Sequence, residues 1–354
     1  MLLIRQDIER RERQMLASYA VKSAESRGRQ YPEEEDPYRT CFQRDRDRII
    51  HSKAFRRLKG KTQVFVAHYG DHYRSRLAHS MEVAQLSRDM ARTLNLNEDL
   101  AEAIALAHDL GHTPFGHAGE EAMNKLLEAY GSRFEHNEQS RRIVEVLEEK
   151  SAEHPGLNLS FEVRDGLMKH RTTYDRPLST DTLMPSIEAQ VVNLADEIAY
   201  INHDIDDALR SEILNVEHFA DLALWKQVQA PLDPALPFDV RVMSMISELI
   251  TLMVDDLTAM THALLKKHKI NQVSQAYETS FPLASFSAEF QEMTTELKSF
   301  LYHHFYQSPG VAAYNEKGKE VIRFLFEKFM HDPSLLPEKF RGDNTPPTML
   351  TPPS

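Results

Sequence analysis

The chain predicts an all-α fold. Apolar residues recur at three- and four-residue spacing along most of its length, the period of an amphipathic helix. Alternating β-branched runs are scarce, and only Thr62 to Ala67 has the composition of a short strand. With 354 residues and 41% hydrophobic content, the chain can bury a large core, as one big domain or two modest ones.

Residues 1–30 read as a charged amphipathic helix, and the acidic, proline-containing stretch from Tyr31 to Pro37 as a loop. In RSRLAHSMEVAQLSRDMARTL, residues His79, Val83, Leu86, Met90 and Leu94 share one helical face, so the His79 imidazole points toward the core. A hydrogen-bonded core histidine satisfies that pattern as well as a ligand does. Asn97 is the expected N-cap of the next helix, on which Leu100 and Ile104 share a face with His108, and Gly111 is the expected stop. That helix ends at His108-Asp109. An unpaired carboxylate at the buried end of an apolar helix costs roughly several kcal/mol unless a cation or hydrogen bonds compensate, and a metal ion meets that need.

A further helix begins near Ser186, with Ile187, Val191, Leu194, Ile198, Ile201 and Ile205 as an apolar stripe that packs on another helix. Asp196 lies on the opposite side, with Ala189, Val192, Tyr200, His203 and Asp207 on or near its face. A solvated acidic face is the ordinary reading. Val192, Ala199 and Tyr200 interleaved with the acids suit a cavity wall better. After Pro231 and Pro234 long helical patterns resume, including Val242 to Leu264 and Glu320 to Phe329, and the closing GDNTPPTMLTPPS lacks apolar periodicity. The expected organisation is an N-terminal helical segment over 1–43, a core over 44–215 that holds most of the histidines, a C-terminal helical region over 216–341 packed on the core, and a disordered tail over 342–354.

The net charge of −12 argues against a protein built to coat nucleic acid or acidic lipid, which needs a net basic face. Its one cysteine, Cys41, cannot form an internal disulfide, and the opening MLLIRQDIERRERQ turns charged at its fifth residue, too soon for a signal peptide. No apolar run approaches the ~18 residues of a membrane span. The expected setting is soluble, reducing and cytoplasmic, with no membrane partner.

Five strings in order, RDRDRIIHSKAFRRLKGKTQVF, RSRLAHSMEVAQ, IALAHDLGHTPFGHAGE, FEHNEQS and EAQVVNLADEIAYINHDIDDALR, fall across residues 44–210. Together they resemble the deoxyguanosine-triphosphate triphosphohydrolase family of HD-domain phosphohydrolases over about half the chain. The resemblance implies an HD-domain helical fold with additional C-terminal helices, and a divalent metal ion held by His79, His108, Asp109 and Asp196. Two imidazoles and two carboxylates suit Mn, Fe, Zn, Ni or Mg. It implies His117 as general acid or base oriented by Glu120, three residues on at an expected helix start, with His112 and His136 as phosphate ligands. Arg76, one turn before His79, reaches the same pocket to neutralise phosphate charge. Gln63 matches a residue that reads the sugar 3′-hydroxyl, Val64 lies where a 2′-hydroxyl would project, and Tyr200 and Asp204 resemble a sugar-contacting tyrosine and its nearby acid. Lys169 in GLMKH is a candidate for the triphosphate tail, against a solvated lysine. Thr113 departs from the commoner loop sequence, and RDRDR at 44–48 is left open, with a salt-bridged helix face as one reading.

The activity so implied is metal-dependent hydrolysis of a deoxynucleoside triphosphate, dGTP or another dNTP, to deoxynucleoside and triphosphate. The alternatives are an HD phosphatase acting on nucleoside monophosphates or a signalling nucleotide, and a non-catalytic nucleotide sensor or single-strand nucleic-acid binder, for which RRLKGK can line a groove. A dNTP substrate and a homo-oligomer are the expected partners. Base preference and native metal stay open.

Overall fold

The computed structural model describes residues 2–61, 75–170, 183–228 and 235–341. Among these residues there are thirteen α-helices and no strand, so the all-α expectation holds. They are α1 (Arg5–Met15), α2 (Cys41–Ile50), α3 (Lys53–Arg57), α4 (Arg76–Thr93), α5 (Glu98–Ala107), α6 (Gly116–Glu128), α7 (His136–Arg142), α8 (Phe161–Met168), α9 (Ile187–Arg210), α10 (Phe238–Lys267), α11 (Val273–Glu278), α12 (Ala288–Leu301) and α13 (Pro309–His331). The expected strand at Thr62 to Ala67 and the tail over 342–354 lie outside the described residues. No described helix is long and apolar enough to cross a membrane.

Side-chain caps set where the three central helices start. Ser75 accepts from the Ala78 amide to open α4, Asn97 from Leu100 to open α5, and Ser186 from Ala189 to open α9. These helices pack on one another, α2 and α8 lie against α5, α10 and α12 against α9, and α13 against α6. On α5 the alanines Ala101, Ala103, Ala105 and Ala107 are buried and let neighbouring backbones come close. The α9 helix is enclosed on nearly every side, its acidic face included: Asp196, Asp204, Asp206 and Asp207 are buried beside Ile187, Val191 and Ile198. Each fully buried valine or isoleucine there contributes about 1.5–3 kcal/mol.

Two local expectations differ from the structure. The N-terminal helix stops at Met15. Beyond it the Ala17 amide donates to the Asn95 carbonyl, Lys22 Nζ donates to the carbonyls of Ala17, Ser18 and Ala20, and the Val21 amide donates to Glu188. These tertiary bonds take the backbone groups a longer helix would use. The second case is Gly111. It lies past the end of α5 and has no positive φ, and glycine is needed there for close approach: a Cβ would sit 2.2 Å from the His136 carbonyl oxygen and 2.3 Å from the Ser140 nitrogen. The Gly111 amide donates to Ser140 Oγ (2.8 Å), which donates to the His108 carbonyl (2.7 Å), so α7 clamps the end of α5.

The RDRDR run resolves as a structural ion-pair network. Arg44 and Arg48 pair with Glu33, Asp45 with Arg29, Asp47 with Arg39, and Arg46 with Glu102.

Glu188 ties the N-terminal segment, α5 and α9 together, its Oε1 accepting from the amides of Val21 (2.9 Å) and Asn97 (3.2 Å). Burial pushes its carboxyl up to about 7, against the pull of those amides. A carboxyl with a higher pKa folded than unfolded contributes fully below its ordinary value of 4.5. That contribution is lost as pH rises toward about 7, at ~1.4 kcal/mol per pH unit. Urea unfolding between pH 5 and 8 is therefore expected to show the parent losing stability relative to Glu188→Gln as pH rises. A difference that stays flat with pH contradicts this account.

Candidate functional site

The α4, α5 and α9 helices bring their polar side chains to one point. His79 Nε2 lies 2.8 Å from Asp196 Oδ1 and 3.9 Å from Asp109 Oδ2, and His108 Nε2 lies 3.5 Å from Asp196 Oδ1 and 3.4 Å from Asp109 Oδ1. One donor atom each from His79, His108 and Asp196 lies within 4.8 Å of the others, all three residues buried. Asp109 stands alongside, one oxygen paired with Arg76 Nη1 at 2.8 Å.

The donor set fits a divalent cation. His108 Nδ1 lies 2.6 Å from the Ala105 carbonyl, which only accepts, so the ring carries its proton there and the neutral imidazole presents a lone pair at Nε2. That buried nitrogen has no hydrogen-bond partner. A lone pair and two carboxylates facing one another away from water call for positive charge between them. A second proton can supply that charge as well: burial disfavours it, but Asp109 and then Asp196 outweigh burial and raise His108 to about 9, so an ion bound at Nε2 displaces a proton. Burial likewise works against both carboxylates, yet Arg76 and His108 hold Asp109 well below the usual range, and His108 and His170 do the same for Asp196.

A second group of imidazoles sits beside the first. Phe115, in the left-handed region at φ 65°, turns the chain into α6, whose first turns carry His117 and Glu120. Thr113 Oγ1 donates to the Gly116 carbonyl (3.1 Å), so the unusual loop residue braces this turn. His112 and His136 are buried and stacked with centroids 3.9 Å apart. His117 stands edge-on to both His112 and Tyr200. Its Nδ1 is 3.6 Å from Glu120, whereas Glu120 Oε1 accepts from both the amide (2.9 Å) and Nδ1 (3.0 Å) of His136. The structure therefore gives Glu120 a closer partner than the one sequence spacing picked. Burial opposes ionisation of Glu120, but His117 and His136 hold its carboxyl below the usual range. Burial, followed by Arg76 and the neighbouring imidazoles, keeps His112 well below the ordinary histidine value.

Tyr200 and Asp204 follow Asp196 at one and two turns of α9. Tyr200 OH is hydrogen bonded to Tyr306 OH, which donates to Asp204 Oδ2 at 2.8 Å. Burial raises the Asp204 carboxyl far above its ordinary value, against the Tyr306 hydrogen bond. Lys169 Nζ is paired with Asp165 (3.0 Å). Gln63 and Val64 lie outside the described residues.

Known proteins are similar to this chain over most of its length. An HD domain is matched over residues 76–201 and a phosphohydrolase-associated domain over 284–347. A deoxyguanosinetriphosphate triphosphohydrolase-like protein of Geobacter sulfurreducens is 47% identical over 338 residues, covering 93% of this chain and 88% of the relative. Proteins of the same description from Bordetella pertussis and Ralstonia pickettii are 45% identical over 341 residues (93% and 88% covered) and 44% identical over 342 (94% and 87% covered). The chain belongs to the deoxyguanosinetriphosphate triphosphohydrolase-like family.

Three residues of this dGTPase-like site escape sequence reasoning. His170 Nε2 lies 3.2 Å from Asp196 Oδ2, Lys61 Nζ donates to the Leu110 carbonyl (3.2 Å), and Tyr306 arrives from a π-helical turn (Tyr302–Tyr306) more than a hundred positions after Tyr200. None shares a helical period with the residues it joins, so no spacing in the sequence marks them.

Glu120→Ala strips the buried His136 amide and ring of their common acceptor, an expected loss of about 1–3 kcal/mol read by thermal unfolding. Unchanged stability would show that the Glu120–His136 bonds do not hold this loop.

Proposed function

We propose that this phosphohydrolase cleaves deoxynucleoside triphosphates at the α-phosphorus, taking up water and releasing deoxynucleoside and intact triphosphate. The supporting observation is the side-by-side placement of two clusters: His79, His108 and Asp196, within 4.8 Å of one another, and the stacked His112 and His136 with His117 beside them. On this reading His79, His108 and Asp196 hold a divalent ion, and Asp109, with one oxygen neutralised by Arg76, turns the other toward the same point. When bound, such an ion supplies positive charge for phosphate oxygens and makes water more acidic.

His117 is the proposed acid that delivers a proton to the departing 5′-oxygen, because it is the most exposed imidazole of its group, at 41%, and its Nδ1 faces Glu120. His112 and His136 are proposed phosphate contacts, and Arg76 balances phosphate charge while it fixes Asp109. Tyr200, with Tyr306 and Asp204 behind it, is the proposed wall for the sugar. Gln63 and Val64 are assigned to the sugar 3′- and 2′-carbons, and Lys169 to the triphosphate tail, from the family resemblance alone.

Metal-loaded protein incubated with each dNTP is expected to give triphosphate, identified by mass. Orthophosphate or pyrophosphate as the product overturns the reading.

Two variants separate metal binding from proton transfer. Asp109→Ala is expected to lose metal and turnover together. His117→Ala keeps its metal and loses roughly two to four orders of magnitude in turnover. Full metal stoichiometry in the first, or near-normal turnover in the second, shows the role to be misassigned.

The sugar reading predicts deoxynucleotide preference. Val64, assigned to the 2′-carbon, offers a 2′-hydroxyl no partner, at a cost of about 1–3 kcal/mol, so kcat/KM for dGTP is expected to exceed that for GTP by roughly tenfold or more. Equal values for the two nucleotides count against the proposed pocket.

A further inference from the structure

His79 meets the donor cluster through Nε2, and its other ring nitrogen is engaged behind it. Nδ1 lies 3.3 Å from Nδ1 of His203 on α9, and His203 Nε2 is hydrogen bonded to the carboxylate of Glu82, one turn after His79 on α4. The two rings meet edge-on, centroids 5.2 Å apart at 74°. Both imidazoles are buried, whereas the Glu82 side chain is 42% exposed. The line of contacts therefore runs from the protein surface to Asp196.

Proton bookkeeping along this line has a definite direction. An ionised carboxylate can only accept, so His203 Nε2 carries the proton it shares with Glu82. In the neutral ring, Nδ1 of His203 is then a bare acceptor. It faces His79 Nδ1, and a hydrogen bond between two ring nitrogens needs one proton, which sits on His79. The His79 Nε2 is left with its lone pair, 2.8 Å from the Asp196 carboxylate. Two acceptors at that distance repel unless a cation lies beside both.

We propose that Glu82 and His203 are positioning residues: a carboxylate–imidazole–imidazole relay that fixes the tautomer and ring orientation of His79 and so offers its Nε2 to a divalent ion. The relay presupposes the metal reading proposed above. Neither residue contacts the donor point itself in this scheme. Each acts through His79, and partners of this kind typically change metal affinity by about 10- to 100-fold when removed.

Two substitutions of His203 split the relay. Asparagine puts its carbonyl near the position of imidazole Nδ1 and keeps an acceptor for His79, while glutamine puts its amide nitrogen near Nε2 and keeps only the donor to Glu82. The probe is Mn2+ on the full chain, its apparent affinity read by competition with a fluorescent chelator, with thermal unfolding as the control for folding. His203→Gln is expected to lose about 10- to 100-fold in affinity, and His203→Asn to stay within a few-fold of the parent. If a His203 variant does not fold, Glu82→Leu at the part-exposed end carries the test, with an expected loss of about 10-fold. Parent-like affinity in the glutamine or Glu82 variant, or equal loss in the asparagine and glutamine variants, overturns the relay. A parent chain that binds no Mn2+ overturns the metal reading itself.

Discussion

Two carboxylates buried where three helices meet set the terms for the rest of this molecule. Asp109 and Asp196 are nearly closed off from water, and a lone ionised carboxylate in such a place costs several kcal/mol, roughly, or gives up its charge. Neither gives it up, because the charges of Arg76 and His108 hold Asp109 ionised, and His108 with a hydrogen bond from His170 does the same for Asp196. The helices must then arrive with their polar residues in register. The caps at Ser75, Asn97 and Ser186 start α4, α5 and α9 so that each delivers its residue to that point.

Around this centre, backbone geometry is as constrained as charge. The His108 carbonyl accepts from Ser140, the Gly111 backbone abuts α7, and the α6 entry passes through a left-handed Phe115 whose ring packs against Gly318 on α13. These contacts fix the end of α5 against the loop that carries His112 and the start of α6 that carries His117. The first cluster and the second are thus held by one set of packed backbones. A shift of one imidazole group relative to the other would have to break the Ser140 bonds or open the α6–α13 contact.

What was legible in the sequence is what local periodicity and capping dictate. Helical spacing placed His79 and His108 on inward faces, Asp196 was read into a cavity wall from the Val192, Ala199 and Tyr200 interleaved with its acidic face, and Asn97 and Ser186 marked helix starts because a cap acts on an amide three residues away. The rest depended on distant partners. Lys22 and Glu188 end the N-terminal helical pattern by taking its backbone groups. Glu120 is three residues from His117, yet it bonds more closely to His136, sixteen residues on, because the chain after α6 turns back and sets the start of α7 beside Glu120. Glu82 and His203 are 121 positions apart, and nothing in either segment announces the other. Gly111 resembled a helix stop, since a sequence shows the absence of a side chain but not the backbone that needs its space.

The charges near the site share a further property. Lys61 is pushed down to about 8, first by burial and then by Arg76, and His112 is pushed down by burial, Arg76 and three imidazoles. Burial is the larger cause of both shifts, and neighbouring cations and imidazoles add to it, in a chain whose net charge is −12. Such crowding is a standing cost in the folded protein. A triphosphate bound as proposed would bring negative charge to the same place and favour the protonated form of Lys61. On the proposed function, a bound phosphate group would offset part of that cost, within a chain that is acidic as a whole.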